Sequence, residues 1–109
     1  MAIQDWSERI IFAELADDPD FTDELATLSD RMEKAPRDVV LSLAKVRFLN
    51  SSNISRLLKL RKILLDRNHR LKLCDISVQV WGVFLLTGLD SIFEVAEDRA
   101  SALASLQME

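Results

Sequence analysis

The sequence predicts an α/β domain: a mixed, mostly parallel sheet of four or five strands with about four helices. Three observations predict it. Strand-like and helix-like segments alternate along the chain, the order produced by right-handed crossovers between parallel strands. The segment DVVLSLAKV, Asp38–Val46, is apolar on both faces, as an interior strand covered on each side must be. The 109 residues, 49% hydrophobic and 29% charged, contain no repeat, linker or low-complexity stretch and read as one domain over 1–109.

Each element has its own signal. Met1–Trp6 is a candidate edge strand, and RIIFAEL, Arg9–Leu15, is a short apolar strand broken by the following DDPD. FTDELATLSDRMEKA reads as a helix with Thr22 as N-cap, acids in its first turn, and Leu25, Leu28 and Met32 as its apolar stripe. Pro36 ends it, and the interior strand follows. A second helix is expected from about Ser52 to Asp66, then a strand in RLKLCDI. SVQVWGVFLLTGL opens on Ser77 as N-cap and closes on Gly88. SIFEVA is a last strand, and EDRASALASLQ a last helix with Ala102, Leu103 and Leu106 facing inward.

Composition removes several function classes. No apolar run approaches the roughly 20 residues of a membrane span, so no membrane association is expected. The N-terminus carries an acid early and no basic region, which argues against a signal peptide. The single cysteine, Cys74, cannot pair internally, reads as a buried strand residue, and makes a reducing cytoplasmic setting the default. With one histidine, His69, and one cysteine, neither a metal site nor a nucleophile–histidine constellation is expected. Glycine occurs only at 82 and 88, too sparse for a phosphate-cradling loop. No cofactor is therefore expected, and the chain is not read as an enzyme. Acids crowd the segment up to Asp38, while Arg56–Lys72 is basic. That polarity is either two solvated faces or a field that steers a partner. With a net charge of −4 and no aromatics among the basic residues, the partner is not expected to be nucleic acid.

The most informative stretch is Asn50-Ser51-Ser52-Asn53, where an apolar strand gives way to a leucine-rich helix without glycine or proline. A hydroxyl there sits beside unpaired N–H groups and the positive end of the helix dipole. Plain capping explains two such serines. So does modification: a phosphate at a helix start is tolerated by the fold, whereas a partner surface pressed on it would have to desolvate a dianion. In the helix that follows, Ile54, Leu57, Leu58, Leu64 and Leu65 are expected to face the sheet, with Arg56, Lys59 and Ile63 opposite. The next helix is apolar almost all round. Val78, Trp81 and Leu85 share one side of it, which reads either as core or as an exposed oligomer or partner contact.

In this order the elements resemble the STAS domain, the fold of bacterial anti-sigma factor antagonists. The resemblance runs from Val39 to Leu106. It is carried by VVLSLAKVRFLNSSNI, LLKLRKIL, LKLC, SVQVWGVFLLTGLDSIF and the terminal alanine-leucine helix, with LTGL at Leu86–Leu89 before DSIF as a further marker. It implies a regulatory domain that binds an anti-sigma factor with kinase activity, is phosphorylated at the first hydroxyl of the junction, and is reset by a phosphatase. That acceptor is Ser51, with Ser52 as cap or second choice. The family usually has Asp where this chain has Asn50, and Gly where it has Asn53. Its members usually carry charge where this chain has Trp81, Gly82 and Leu85. If the Asp orients the kinase or assists proton removal, phosphorylation here is slow or absent. The partner surface implied is the junction, Ile54 at the start of the helix, and Arg56, Lys59 and Ile63. The competing expectation is a non-switching adaptor or structural subunit of a larger signalling or transport assembly. A homo-oligomer through Val78, Trp81 and Leu85 is a separate expectation.

Overall fold

The computed structural model describes residues 3–108. Their elements follow as β1 (Ile3–Asp5), β2 (Ile10–Ala16), α1 (Asp20–Lys34), β3 (Asp38–Lys45), α2 (Ser51–Asp66), β4 (Leu71–Cys74), α3 (Val78–Thr87), β5 (Glu94–Val95) and α4 (Arg99–Gln107), with a 3-10 turn at Leu89–Ser91. They form a five-stranded sheet in chain order, β1-β2-β3-β4-β5. β1 runs antiparallel to β2 and the remaining pairs are parallel. The edge strand expected near the N-terminus is thus Ile3–Asp5; Met1 and Ala2 lie outside the described residues.

β3 shows why a strand apolar on both faces belongs in the middle. Val39, Leu41 and Leu43 point into one core, shared with α1, α2 and α3. Val40 points into the other, where Ile10, Phe12 and Cys74 meet Ala102, Leu103 and Leu106 of α4. Strand periodicity of two splits the run cleanly between these layers. Arg99 at the start of α4 lies over the Phe12 ring, 3.8 Å from its centroid. Burial pushes the Cys74 thiol up to about 12, so it serves as core rather than as a reactive group.

Helix ends follow local chemistry, with two corrections. Ser77 caps α3 by accepting the Val80 N–H, and Gly88 ends it at φ 78°, both as expected. Thr22 is not a cap: α1 begins two residues earlier, after Pro19, and Thr22 instead donates its N–H and its hydroxyl to Asp18. Nor is Ser52 a cap, because α2 begins at Ser51 and Asn50 takes that position. α2 closes without glycine, since Asn68 adopts the left-handed conformation (φ 61°) that asparagine tolerates. The last strand is shorter than expected. After Gly88 the chain takes the 3-10 turn, Phe93 turns inward onto Phe84, and only Glu94–Val95 pairs with β4.

The inward face of α2 is also rotated from expectation. Leu57, Leu60 and Leu64, at i, i+3 and i+7, are fully buried, while Leu65 is exposed. Ile63 is buried at 7% exposure, which removes it from the outward surface. Arg56, seven residues earlier on the same flank, is half-buried, and its Nε is sealed from solvent without a hydrogen-bond partner among the described residues. α1 packs alongside α2.

Candidate functional site

The β3–α2 junction is built from the backbone outward. Asn50 is extended (φ −105°, ψ 174°) and starts the helix. Its Oδ1 accepts the Asn53 N–H at 2.8 Å, and the Asn53 Oδ1 accepts the Asn50 N–H at 3.1 Å. This is a reciprocal capping box with asparagine in both roles. Asn50 therefore retains the acceptor oxygen that a helix start needs, without the negative charge. Ser51 and Ser52 occupy the first two helical positions. Both are exposed, and neither hydroxyl has a hydrogen-bond partner among the described residues. The capping question posed by the sequence is thus answered: the asparagines cap, and the serines do not.

A neighbouring loop clips the junction at both ends. From the β2–α1 connection, Asp17 accepts the N–H groups of Arg47 (2.8 Å) and Phe48 (3.3 Å) and pairs with the Arg47 Nε at 3.1 Å. The N–H of Arg47 and, next, its side chain hold the Asp17 carboxyl below the usual carboxylate value. Asp18 accepts from the Thr22 hydroxyl and N–H and from the Asn53 Nδ2 at 3.0 Å. The Thr22 hydroxyl and the Asn53 amide hold it low in the same way. Asn53 is only 3% exposed, a buried polar side chain whose amide N–H and carbonyl both find partners. Between the loops lies an open cavity of about 260 Å³ lined by Asp17, Asp18, Phe48, Leu49, Asn50 and Asn53. Phe48 stands 73% exposed at its rim, with the Arg47 guanidinium 5.8 Å from its ring centroid.

These low carboxylates predict a pH dependence. Asp17, Asp18, Glu94 and Asp98 all bind protons less readily folded than unfolded. Their contribution is fully present above the ordinary carboxylate values and is lost as pH falls through the lowered folded ones. Urea midpoints are expected to stay level from pH 7 to about 5 and to fall below about 4. The deficit of an Asp17→Asn variant is expected to shrink to nothing across that fall.

The remaining expected contacts fall in different places. Lys59 is exposed on α2, Ile54 is half-buried against the core, and Arg56 and Ile63 turn inward as described. On α3, Val78 (87%) and Leu85 (55%) are exposed, and Leu86, not singled out in the sequence, is more so at 90%. Trp81 is half-buried, packed on the core and stacked on Phe84 with centroids 6.0 Å apart. It is therefore the floor of that face rather than its crest. The His69 Nδ1 sits 3.1 Å from the Asp38 carboxyl, at the end of β3 opposite the junction. No group of three or more potential metal ligands occurs among the described residues, and no described helix is long and apolar enough to cross a membrane.

Comparison with known proteins agrees with this architecture. The STAS domain family model matches residues 2–102. BtrV of Bordetella bronchiseptica, assigned as an anti-sigma factor antagonist, is 33% identical over 82 residues, covering 75% of this chain and 71% of its own. Among solved structures, a Thermotoga maritima protein assigned as an anti-sigma factor antagonist superposes with a TM-score of 0.84 at 15% identity, covering 96% of this chain and 92% of that one. The anti-sigma factor antagonist SpoIIAA of Bacillus superposes in its unphosphorylated form with a TM-score of 0.82 at 17% identity, covering 98% of this chain and 96% of its own. Its phosphorylated form gives 0.75 at 16% identity, over 95% of this chain and 96% of its own. These structures share the mixed α/β fold found here.

Proposed function

The chain belongs to the STAS domain family, and we propose that it acts within that family as an anti-sigma factor antagonist switched by phosphorylation of Ser51. One observation carries the reading: Ser51 presents an exposed, unbonded hydroxyl at the first position of α2, on a junction whose capping needs are already met by Asn50 and Asn53. The serine is spare for the fold and available for chemistry. The partner is an anti-sigma factor with kinase activity. It docks on the junction, the rim residue Phe48 and the outward side of α2 at Lys59, with Ile54 and Arg56 supporting that surface from beneath. Ile63 has no part in it.

Transfer of the γ-phosphoryl group of ATP to the Ser51 Oγ adds a charge of about −1.5 to −2. The α2 N-terminus tolerates that charge, because the first N–H groups have no intrahelical acceptor and the helix dipole favours an anion. The partner would have to desolvate it and lets go. Hydrolysis by a phosphatase restores the bare hydroxyl. Incubation with the kinase and ATP is expected to add a single phosphate, mapped by mass spectrometry to Ser51 and absent from Ser51→Ala. A phosphate confined to Ser52, or none at all, would remove the switch as assigned.

The exposed side of α3 suggests a second contact, with another copy of this chain. No charged residue occurs between Ile76 and Leu89, so two such helices meet without desolvating a charge. Val78, Leu85 and Leu86 expose apolar surface on the order of 400 Å², the size of the largest such patch on an ordinary monomer and often a functional one. An area that small predicts weak association. Sedimentation equilibrium is expected to show dimer at high micromolar concentration and a monomer for Val78→Glu with Leu86→Glu; a wild-type monomer throughout would contradict it.

A further inference from the structure

Asn53 makes contacts that a glycine at that position has no atoms to make. Its carbonyl oxygen takes the N–H of Asn50, the residue immediately before Ser51. Its amide N–H donates a hydrogen bond to Asp18 at 3.0 Å. Asp18 in turn is held by two bonds from Thr22 at the start of α1. A continuous set of hydrogen bonds therefore runs from α1 through Asp18 and the buried Asn53 to the backbone on either side of Ser51, whose own side chain is left unbonded. Asp17, next in sequence to Asp18, fixes the other side of the same loop through the N–H groups of Arg47 and Phe48.

We propose that Asp18 and Asn53 are positioning residues for phosphoryl transfer to Ser51, a latch that holds the acceptor in the pose a kinase can use. The inference rests on the Ser51 reading. In the step it serves, the Ser51 Oγ bonds to the γ-phosphorus of the kinase's nucleoside triphosphate. The bond from that phosphorus to the β-bridging oxygen breaks, the nucleoside diphosphate leaves, and the hydroxyl proton passes to a base on the kinase. Asp18 is assigned no proton transfer, because its oxygens accept from Thr22 and Asn53 and not from Ser51. Its contribution is orientation, the kind of effect in which a displacement of about 1 Å costs rate without loss of binding.

A swapped pair separates geometry from charge. Asp18→Asn sets an amide donor against the Asn53 amide, and Asn53→Asp sets a carboxylate against Asp18; each breaks the latch. In the double variant the carboxylate introduced at position 53 accepts from both the Asn50 N–H and the amide introduced at position 18. The oxygen of that new amide still serves Thr22, so the bonds reform with the charge moved. The assay uses the kinase co-purified with the wild-type chain, supplied with ATP, and reads kcat and KM for Ser51 phosphorylation on variants shown by circular dichroism to be folded. Each single change is expected to lower kcat about 10-fold with KM for the chain little altered, and the swap to return it to within about 2-fold of wild type. Amide hydrogen exchange at Asn50 should rise in the singles and recover in the swap. Folded single variants phosphorylated at the wild-type rate, or a swap that restores exchange protection without restoring kcat, would overturn the latch while leaving the Ser51 reading intact. A wild-type chain that takes no phosphate would overturn the Ser51 reading itself and the latch's role with it.

Discussion

A Ser51→Asp chain is expected to keep its fold and lose its partner. Ser51 is exposed and its hydroxyl bonds nothing among the described residues, so its removal breaks no contact. A carboxylate in the first turn of α2 gains about 0.3–1 kcal/mol from the helix dipole, which keeps the thermal midpoint at or slightly above the wild-type value. Binding moves the other way. A partner covering the junction would bury an unpaired charge at a cost of several kcal/mol, about 100-fold or more in affinity. Circular dichroism checks the first half and isothermal titration the second. The same variant separates the two functional readings: a non-switching adaptor assembles normally with Asp at 51, whereas the antagonist does not.

Phe84→Ala is expected to produce the largest loss of stability on the α3 side. The ring is fully buried, and Trp81 and Phe93 each stand 6.0 Å from its centroid. Truncation leaves a cavity beneath α3 and removes two aromatic contacts, for about 3–5 kcal/mol. Domains of this size are stable by about 5–15 kcal/mol, so the variant is expected to melt about 15 °C lower and to unfold at a markedly lower urea concentration. Leu86→Ala on the same helix, at 90% exposure, is expected to change the monomer's stability by no more than about 0.5 kcal/mol. Equal losses from the two changes would contradict the orientation of α3.

Much of this architecture is legible from residue periodicity alone. The two-faced apolarity of β3, the Ser77 and Gly88 ends of α3 and the inward Ala102, Leu103 and Leu106 of α4 are local signals, and the fold uses each of them. α2 is harder to read because its apolar residues nearly encircle it. Leu57, Leu60 and Leu64 form the inward stripe, and the flank that carries Ile63 is buried as well. Thr22 has the sequence signature of a cap because a threonine before acids usually is one, but the helix has an earlier start and the threonine serves Asp18 instead. At the junction, the paired serines are visible in the chain as written. Their clamp is not: Asp17 and Asp18 meet Arg47 and Asn53 across 30 and 35 residues of sequence, a proximity that only the parallel pairing of β2 and β3 creates. Phe48 carries no sequence signal of exposure either, since an aromatic at the end of an interior strand more often turns inward.

The most direct test compares the chain with and without phosphate on Ser51, each titrated calorimetrically into the same anti-sigma factor partner. Saturable binding is expected for the bare chain and affinity weaker by about 100-fold or more for the phosphorylated one, with unchanged circular dichroism. Equal affinities for the two forms would contradict the switch.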